Sequence, residues 1–314
     1  LIQSLEKHSI IVNLTAGGGK ARSQWTDFLH QASAAGYRFD FHPTEYRGHA
    51  RQIAHDLVHR GVERLLVFGG DGTLNEALNG MFEADRLLNP EVKLVFLSAG
   101  SSCDVIKMFP SPQSFLDRLT SVYYYQTDVG RIEFHDADGN PGVRYFIANS
   151  SIGIISRSIE AFNRPGPLMN ALKRINVDLA ALTAGARTIV RFGNFNAHLA
   201  LGDQPGVLRR LKNITVFKSP YFGGGMHYGV PTRWDDGLLH VAAVAELHKW
   251  RTFQLIPTLY AGTVLQQPTA EYWQTHRLSV DVEDRTIPVE CDGEIIGFPP
   301  CHYTLLPGAV KLVI

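Results

Sequence analysis

Cysteine is scarce in this chain: Cys103, Cys291 and Cys301 are the only three in 314 residues. An odd count with no paired metal spacing argues against a complete disulfide framework and fits a reducing compartment. Net charge is missing as well. Thirty Lys and Arg offset thirty Asp and Glu, so composition gives no sign of a polyanion partner such as nucleic acid. No apolar run reaches the roughly 18 residues of a spanning helix, and no basic segment leads into an apolar one at the N-terminus, so no signal peptide is read. Internal repeats and low-complexity segments are absent. What remains, 45% hydrophobic and 19% charged, reads as a globular chain of two domains or one large one, with a cytoplasmic location as the expectation.

One stretch organises the rest. Leu65 to Phe68 is a short apolar run, the pattern of a strand buried on both faces. Gly69, Gly70 and Gly72 follow, letting the backbone turn and pass close to a ligand. Thr73 can cap a helix in which Leu74, Ala77, Leu78 and Met81 fall at helical spacing. A strand, a Gly-rich turn and a helix N-terminus form an anion site, with free N–H groups and the positive dipole end aimed at a phosphate. Asp71 lies inside that turn. A carboxylate beside phosphates repels them unless a cation intervenes, which points to Mg²⁺ with a nucleotide; an Asx-turn is the structural alternative.

Around this centre, strands are expected at 9–14, 37–42 and 92–97, and helices at 25–35 and 45–60, the latter started by Thr44. Thr15-Ala16-Gly17-Gly18-Gly19-Lys20 is not a Walker A loop, because its first glycine and final Ser/Thr are missing. His55 and His59 stand four apart, but no third ligand is near in sequence, so they read as a solvated face. Strand and helix alternate to about residue 100, implying a doubly wound parallel sheet with its ligand at the carboxyl ends of the strands. From Thr127 the texture changes. Short strands at 131–134, 144–148, 197–201, 213–217, 239–245, 278–282 and 289–292 suggest an antiparallel sandwich. Residues 169–192 are amphipathic, with Lys173, Arg174, Arg187 and Arg191 among them. They read either as a helix pair docking on a lipid surface or as a core helix with a solvated basic face.

The string Gly69-Gly70-Asp71-Gly72-Thr73-Leu74-Asn75-Glu76 resembles the nucleotide-binding signature of the diacylglycerol kinase catalytic family, which includes sphingosine kinases and bacterial lipid kinases. Asn13 matches the family's first βα turn, with Leu14 replacing the usual proline. Gly100 and Asp104 match its third turn and Ser101 retains the hydroxyl, whereas Ser102 and Cys103 depart. Asn149-Ser150-Ser151-Ile152-Gly153, then Tyr221 to Met226 with Asp235-Asp236-Gly237-Leu238-Leu239, and Cys291-Asp292-Gly293-Glu294 follow in the family's order. Lys218 stands where an asparagine is usual.

The resemblance implies an α/β N-terminal domain, 1–127, with a doubly wound, mostly parallel sheet to which 300–314 returns. It implies a C-terminal antiparallel β-sandwich domain, 128–299. ATP and Mg²⁺ would bind between the domains, and the γ-phosphoryl group would pass to a hydroxyl of a lipid. By position, Thr44, Gly69, Gly70, Asp71, Gly72, Thr73, Leu74, Asn75 and Ser101 would hold nucleotide, with Asp71 at the metal–phosphate end. Asp292 would be the general base and Glu294 a supporting acid, while Asp236 with the carbonyls of Arg233 and Leu238 would hold a second Mg²⁺. Membrane contact would be peripheral, and a homodimer is left open. The alternatives are an NAD kinase, which would need an acid where Ala148-Asn149-Ser150 has none, and a non-catalytic lipid- or nucleotide-binding relative.

Overall fold

In the computed structural model the short apolar runs of the N-terminal half are parallel strands. The structure describes residues 7–100, 102–110, 113–164, 166, 169, 171–172 and 177–314. Two units cluster separately: Leu1–Val129 with Arg233–Asp236 and Leu306–Ile314, and Gly130–Thr232 with Gly237–Leu305. The sequence expectation put 233–236 in the second domain; these four residues cluster with the first.

In the first unit, strand Arg64–Gly69 lies between Lys7–Val12 and Lys93–Ser98. Arg38–Pro43 extends the sheet on one side, and Lys311 to Val313, the end of strand Glu294–Val313, extends it on the other. All five strands are parallel. Side chains alternate across such a sheet. Ile10, Val12, Leu66, Phe68, Val95 and Leu97 therefore meet Ala21, Phe28 and Ala32 of helix Lys20–Ala34 and Leu119 of helix Phe115–Thr120. Ile11, Leu65 and Val67 are buried on the opposite face, which helices His49–His59 and Asp71–Gly80 cover. Helices on both faces explain why these strands are uninterrupted apolar runs.

The second unit is antiparallel. Its strands run Ala270–Thr275, Leu239–Ala245, Val207–Phe217, Phe195–Leu201, Arg277–Val282 and then the first part of Glu294–Val313. Val207–Phe217 changes partner halfway, pairing with Phe195–Leu201 as far as Leu211 and with Asn149–Gly153 from Asn213. Its register with Leu239–Ala245 shifts at the same point. That bulge lets one strand serve two packed layers, whose core includes Ile152, Phe195, Ile214, Val241, Val280 and Tyr303.

Several expected elements differ. The second helix begins at His49, not at 45, because Gly48 takes a left-handed φ of 87° at its N-cap and Thr44 stays outside. Helices Ile154–Asn163 and Lys249–Ala261 and strand Ala270–Thr275 have no counterpart in the sequence reading. Pro257 inside Lys249–Ala261 disguises that helix as a loop. The basic amphipathic stretch is a helix over Val177–Arg191; Lys173 and Arg174 lie outside the described residues. Among the described residues no helix is long and apolar enough to cross a membrane.

Candidate active site

The glycine-rich turn sits at the carboxyl end of strand Arg64–Gly69, where helix Asp71–Gly80 begins. Gly70 is its N-cap, with an ordinary φ of -92°, so glycine is required here for close approach and not for a left-handed turn. A Cβ on Gly70 would lie 3.3 Å from the Cα of Gly100, and one on Gly100 would lie 2.7 Å from the Cα of Gly70. Two βα turns thus touch backbone to backbone. A Cβ on Gly69 would meet the Thr73 hydroxyl at 2.7 Å. Thr73 is inside the first helical turn instead of capping it, and its Oγ1 accepts a 2.9 Å hydrogen bond from Asn13 Nδ2. Asn13 also uses its Oδ1 to accept from Thr15, so one amide ties the first strand's turn to the motif helix.

Asp71 is bound into the fold. Its Oδ2 accepts from the backbone N–H of Asp104 at 2.8 Å, and its Oδ1 accepts from that of Val105 at 3.5 Å. The carboxylate therefore fastens the loop after strand Lys93–Ser98 to the motif turn. Asp104 in turn pairs with Lys107 at 2.6 Å. Cys103, one of the two departures in this turn, donates to the Gly100 carbonyl at 3.4 Å. Burial, with Asp71 nearby, pushes its thiol up to about 11, which leaves it unreactive at neutral pH. Thr44 offers its hydroxyl to the Val12 carbonyl at a weak 3.5 Å. Leu74 and Asn75 are buried within the motif helix, and Ser101 lies outside the described residues. Gly72 has open space where a Cβ would stand.

The second unit assembles the acids. Asp292 adopts a left-handed φ of 46° at the corner between strands Val289–Cys291 and Glu294–Val313. Its carboxylate accepts three backbone N–H bonds, from Ile147 at 3.2 Å, Ala148 at 3.0 Å and Asn149 at 2.9 Å. Three donors stabilise the anion and take up three of its roughly four lone-pair sites. Glu294 Oε2 pairs with the Arg144 guanidinium at 2.7 Å, with both side chains largely buried. Glu290, which the sequence reading passed over, is 0% exposed. Its Oε2 accepts from the Gly293 N–H at 3.0 Å, while its Oε1 has no hydrogen-bond partner. Burial pushes this carboxyl up to about 8, against partial offsets from the Gly293 N–H and from Ser151, so it is mostly protonated at neutral pH. Two positions before an aspartate and four before a second glutamate, it could have been noticed from spacing alone.

The turn expected to hold a second Mg²⁺ does not fit that ion. Asp236 uses its Oδ2 to accept from the Arg233 N–H at 2.7 Å, closing the turn. The Leu238 carbonyl, an implied metal ligand, accepts from Lys218 Nζ at 2.9 Å. Lys218 is 1% exposed. A Mg²⁺ about 2.1 Å from that oxygen would sit beside a fixed ammonium, so Leu238 is not available as its ligand.

Two family models account for most of the chain. A model described as the YegS C-terminal NAD kinase beta sandwich-like domain matches residues 155–314, and one described as the diacylglycerol kinase catalytic domain matches residues 7–132. The chain belongs to the diacylglycerol kinase family. Among curated relatives of this family member, the protein YtlR of Bacillus subtilis is 22% identical over 314 residues, covering 96% of this chain and 97% of the relative. A Mycobacterium tuberculosis protein named diacylglycerol kinase is 22% identical over 268 residues, covering 84% of this chain and 81% of its own. A Bacillus anthracis crystal structure titled a diacylglycerol kinase has a TM-score of 0.67 at 19% identity, covering 99% of this chain and 97% of that one. A yeast NADH kinase structure has a TM-score of 0.56 at 9% identity, covering 99% and 83%. At these identities the structural likeness is one of fold.

Proposed function

We propose that this kinase-family protein is a lipid kinase that takes ATP, entering as its magnesium complex, and phosphorylates a lipid hydroxyl. The observation that carries the reading is the turn at Gly69 to Thr73, where the contact with Gly100 brings two βα turns together at the start of a buried helix. A helix N-terminus with backbone this closely packed favours a polyphosphate. Asp71 holds the flanking loop in place for the nucleotide, with Thr44, Asn75 and Ser101 assisting.

Phosphoryl transfer asks the protein for positioning, charge neutralisation and a proton acceptor. The lipid hydroxyl oxygen forms a bond to the γ-phosphorus while the bond to the β–γ bridging oxygen breaks, yielding ADP and a phosphorylated lipid. The sequence reading gave the proton to Asp292 and a supporting role to Glu294. We assign the two roles the other way round. Asp292 is committed to three N–H donors and positions residues 147–149. Glu294 has Arg144 as its ion-pair partner and takes the hydroxyl proton.

A lipid acceptor also asks for membrane access. Helices Val177–Arg191 and Lys249–Ala261 pack together in the second unit. They leave Leu179, Leu182, Val190, Trp250 and Tyr260 exposed, with Trp250 at 71%. Arg187, Arg191, Lys249 and Arg251 lie on the same two helices. Apolar and aromatic groups interspersed with cations suit an anionic bilayer surface.

The test is a screen with γ-labelled ATP against diacylglycerol, phosphatidylglycerol, a sphingoid base and an isoprenoid alcohol in mixed micelles, with NAD in parallel. Label is expected in one lipid class and is lost in Glu294→Gln without loss of ATP binding. Label appearing in NAD alone would instead make this an NAD kinase, the reading that the acid-free Ala148-Asn149-Ser150 disfavours.

A further inference from the structure

Away from the phosphate turn, the described residues bring together one trio of metal-ligating side chains. His55, His59 and Glu83 have ligand atoms within 4.8 Å of one another. The two histidines are one turn apart on helix His49–His59, on one face, with ring centroids 4.4 Å apart. Glu83 arrives from another element: it ends strand Phe82–Glu83, the first arm of a hairpin with Arg86–Leu87 that follows the motif helix. Ala84 and Asp85 turn that hairpin at left-handed φ values of 45° and 65°. This is the tight two-residue turn that matches strand twist, and it fixes the face on which Glu83 projects. The sequence offered no third ligand for His55 and His59; the fold supplies one.

We propose that His55, His59 and Glu83 form a site for one divalent ion of the zinc class. Two imidazoles and one carboxylate suit Zn²⁺, with Co²⁺, Ni²⁺ and Cu²⁺ as competitors, and do not suit Mg²⁺, which takes oxygen ligands. Tetrahedral bonds of about 2.0–2.2 Å bring ligand atoms to about 3.3 Å from one another, water completing the shell. The required closure of roughly 1.5 Å is within the reach of side-chain rotation, because His59 and Glu83 are exposed. Asp56 Oδ1 lies 3.7 Å from His55 Nδ1, an acidic neighbour beyond hydrogen-bond length on the Nδ1 side of the ring.

The site has a mechanical consequence. Glu76 of the motif helix already accepts from the N–H groups of Gly48 and Ala50, at 2.8 and 3.1 Å, tying the two helices at one end. At Gly80 they pack so closely that a Cβ would overlap the Arg51 carbonyl. An ion on His55, His59 and Glu83 fastens the other end and holds the hairpin that follows the phosphate-binding helix.

The experiment titrates the tag-free full chain with Zn²⁺ by calorimetry and by competition with a chromophoric chelator. One ion per chain is expected, and His59→Ala and Glu83→Gln should each weaken binding at least about tenfold, with thermal melts in chelator unchanged. Hydrogen exchange across residues 82–87 should slow on adding Zn²⁺ in the parent and not in Glu83→Gln. Absence of binding, or parent-like affinity in both variants, overturns the site. Loss in His59→Ala with no effect of Glu83→Gln overturns the three-ligand assignment.

Discussion

Replacing Glu290 by Gln should make this protein more stable, and only above a defined pH. In the folded chain burial lifts the carboxyl from its ordinary 4.5 to about 8. Between those values the unfolded chain has released a proton that the folded chain still holds. By linkage, unfolding becomes easier as pH rises through that window, and the penalty is complete above about 8. At about 1.36 kcal/mol per pH unit, the full rise corresponds to a ceiling of roughly 5 kcal/mol. Relaxation around Oε1, the oxygen without a partner, reduces the realised value to about half of that. Glutamine keeps the shape and an oxygen for the Gly293 N–H, and it cannot ionise. Urea unfolding of parent and Glu290→Gln from pH 5 to 9 isolates the effect, because all other titrations cancel in the difference. The two should nearly coincide at pH 5, with the variant ahead by about 2–5 kcal/mol at pH 9. A difference that stays constant across the range would refute a buried, proton-holding Glu290.

Gly100→Ala places a Cβ 2.7 Å from the Cα of Gly70 and should lower stability by about 1–3 kcal/mol in urea unfolding, with nucleotide affinity falling too. Lys218→Asn removes the ammonium from the Leu238 carbonyl; its melting temperature should fall and become dependent on Mg²⁺, whereas the parent's should not respond. Asp71→Asn should reduce ATP-dependent transfer and also destabilise by about 1–3 kcal/mol, since the N–H groups of Asp104 and Val105 lose a charged acceptor; an unchanged melt would return Asp71 to a purely ligand-facing role. Trp250→Ala with Leu182→Ser should weaken co-sedimentation with anionic vesicles, and parent binding should fall as salt rises; binding indifferent to both would remove these helices from the membrane reading.

The first unit was legible because its strands are buried on both faces and its turns carry glycine where backbones meet. Leu65 to Phe68 followed by Gly69 and Gly70 announces strand, turn and helix with no alignment. The second unit was legible only in part. Strands with one buried face show up as short alternating runs, but helix Lys249–Ala261 was masked by Pro257 and by an exposed face carrying Trp250 and Tyr260. Local geometry, such as a strand ending at Gly69 and running through Gly70 into a helix, could be read directly. Roles that depend on a distant partner could not: Asp71 on the amides of residues 104–105, Asp292 on those of 147–149, Lys218 on Leu238.

Local pattern was enough for the class of protein: an alternating strand–helix half, a strand-rich half, and ordered glycine and acid motifs that place it in the diacylglycerol kinase family. Those features are local, since periodicity and turn chemistry act over a few residues. Tertiary structure alone decided which carboxylates are tied up by backbone N–H groups and which is paired with an arginine. It also decided that a lysine stands at a carbonyl expected to meet a metal, and that Glu83 joins two histidines more than twenty positions away. The physical reason is common to all of these. A side chain's charge, proton affinity and ligand set are fixed by whatever lies within a few ångströms, and in this fold those neighbours come from elsewhere in the chain.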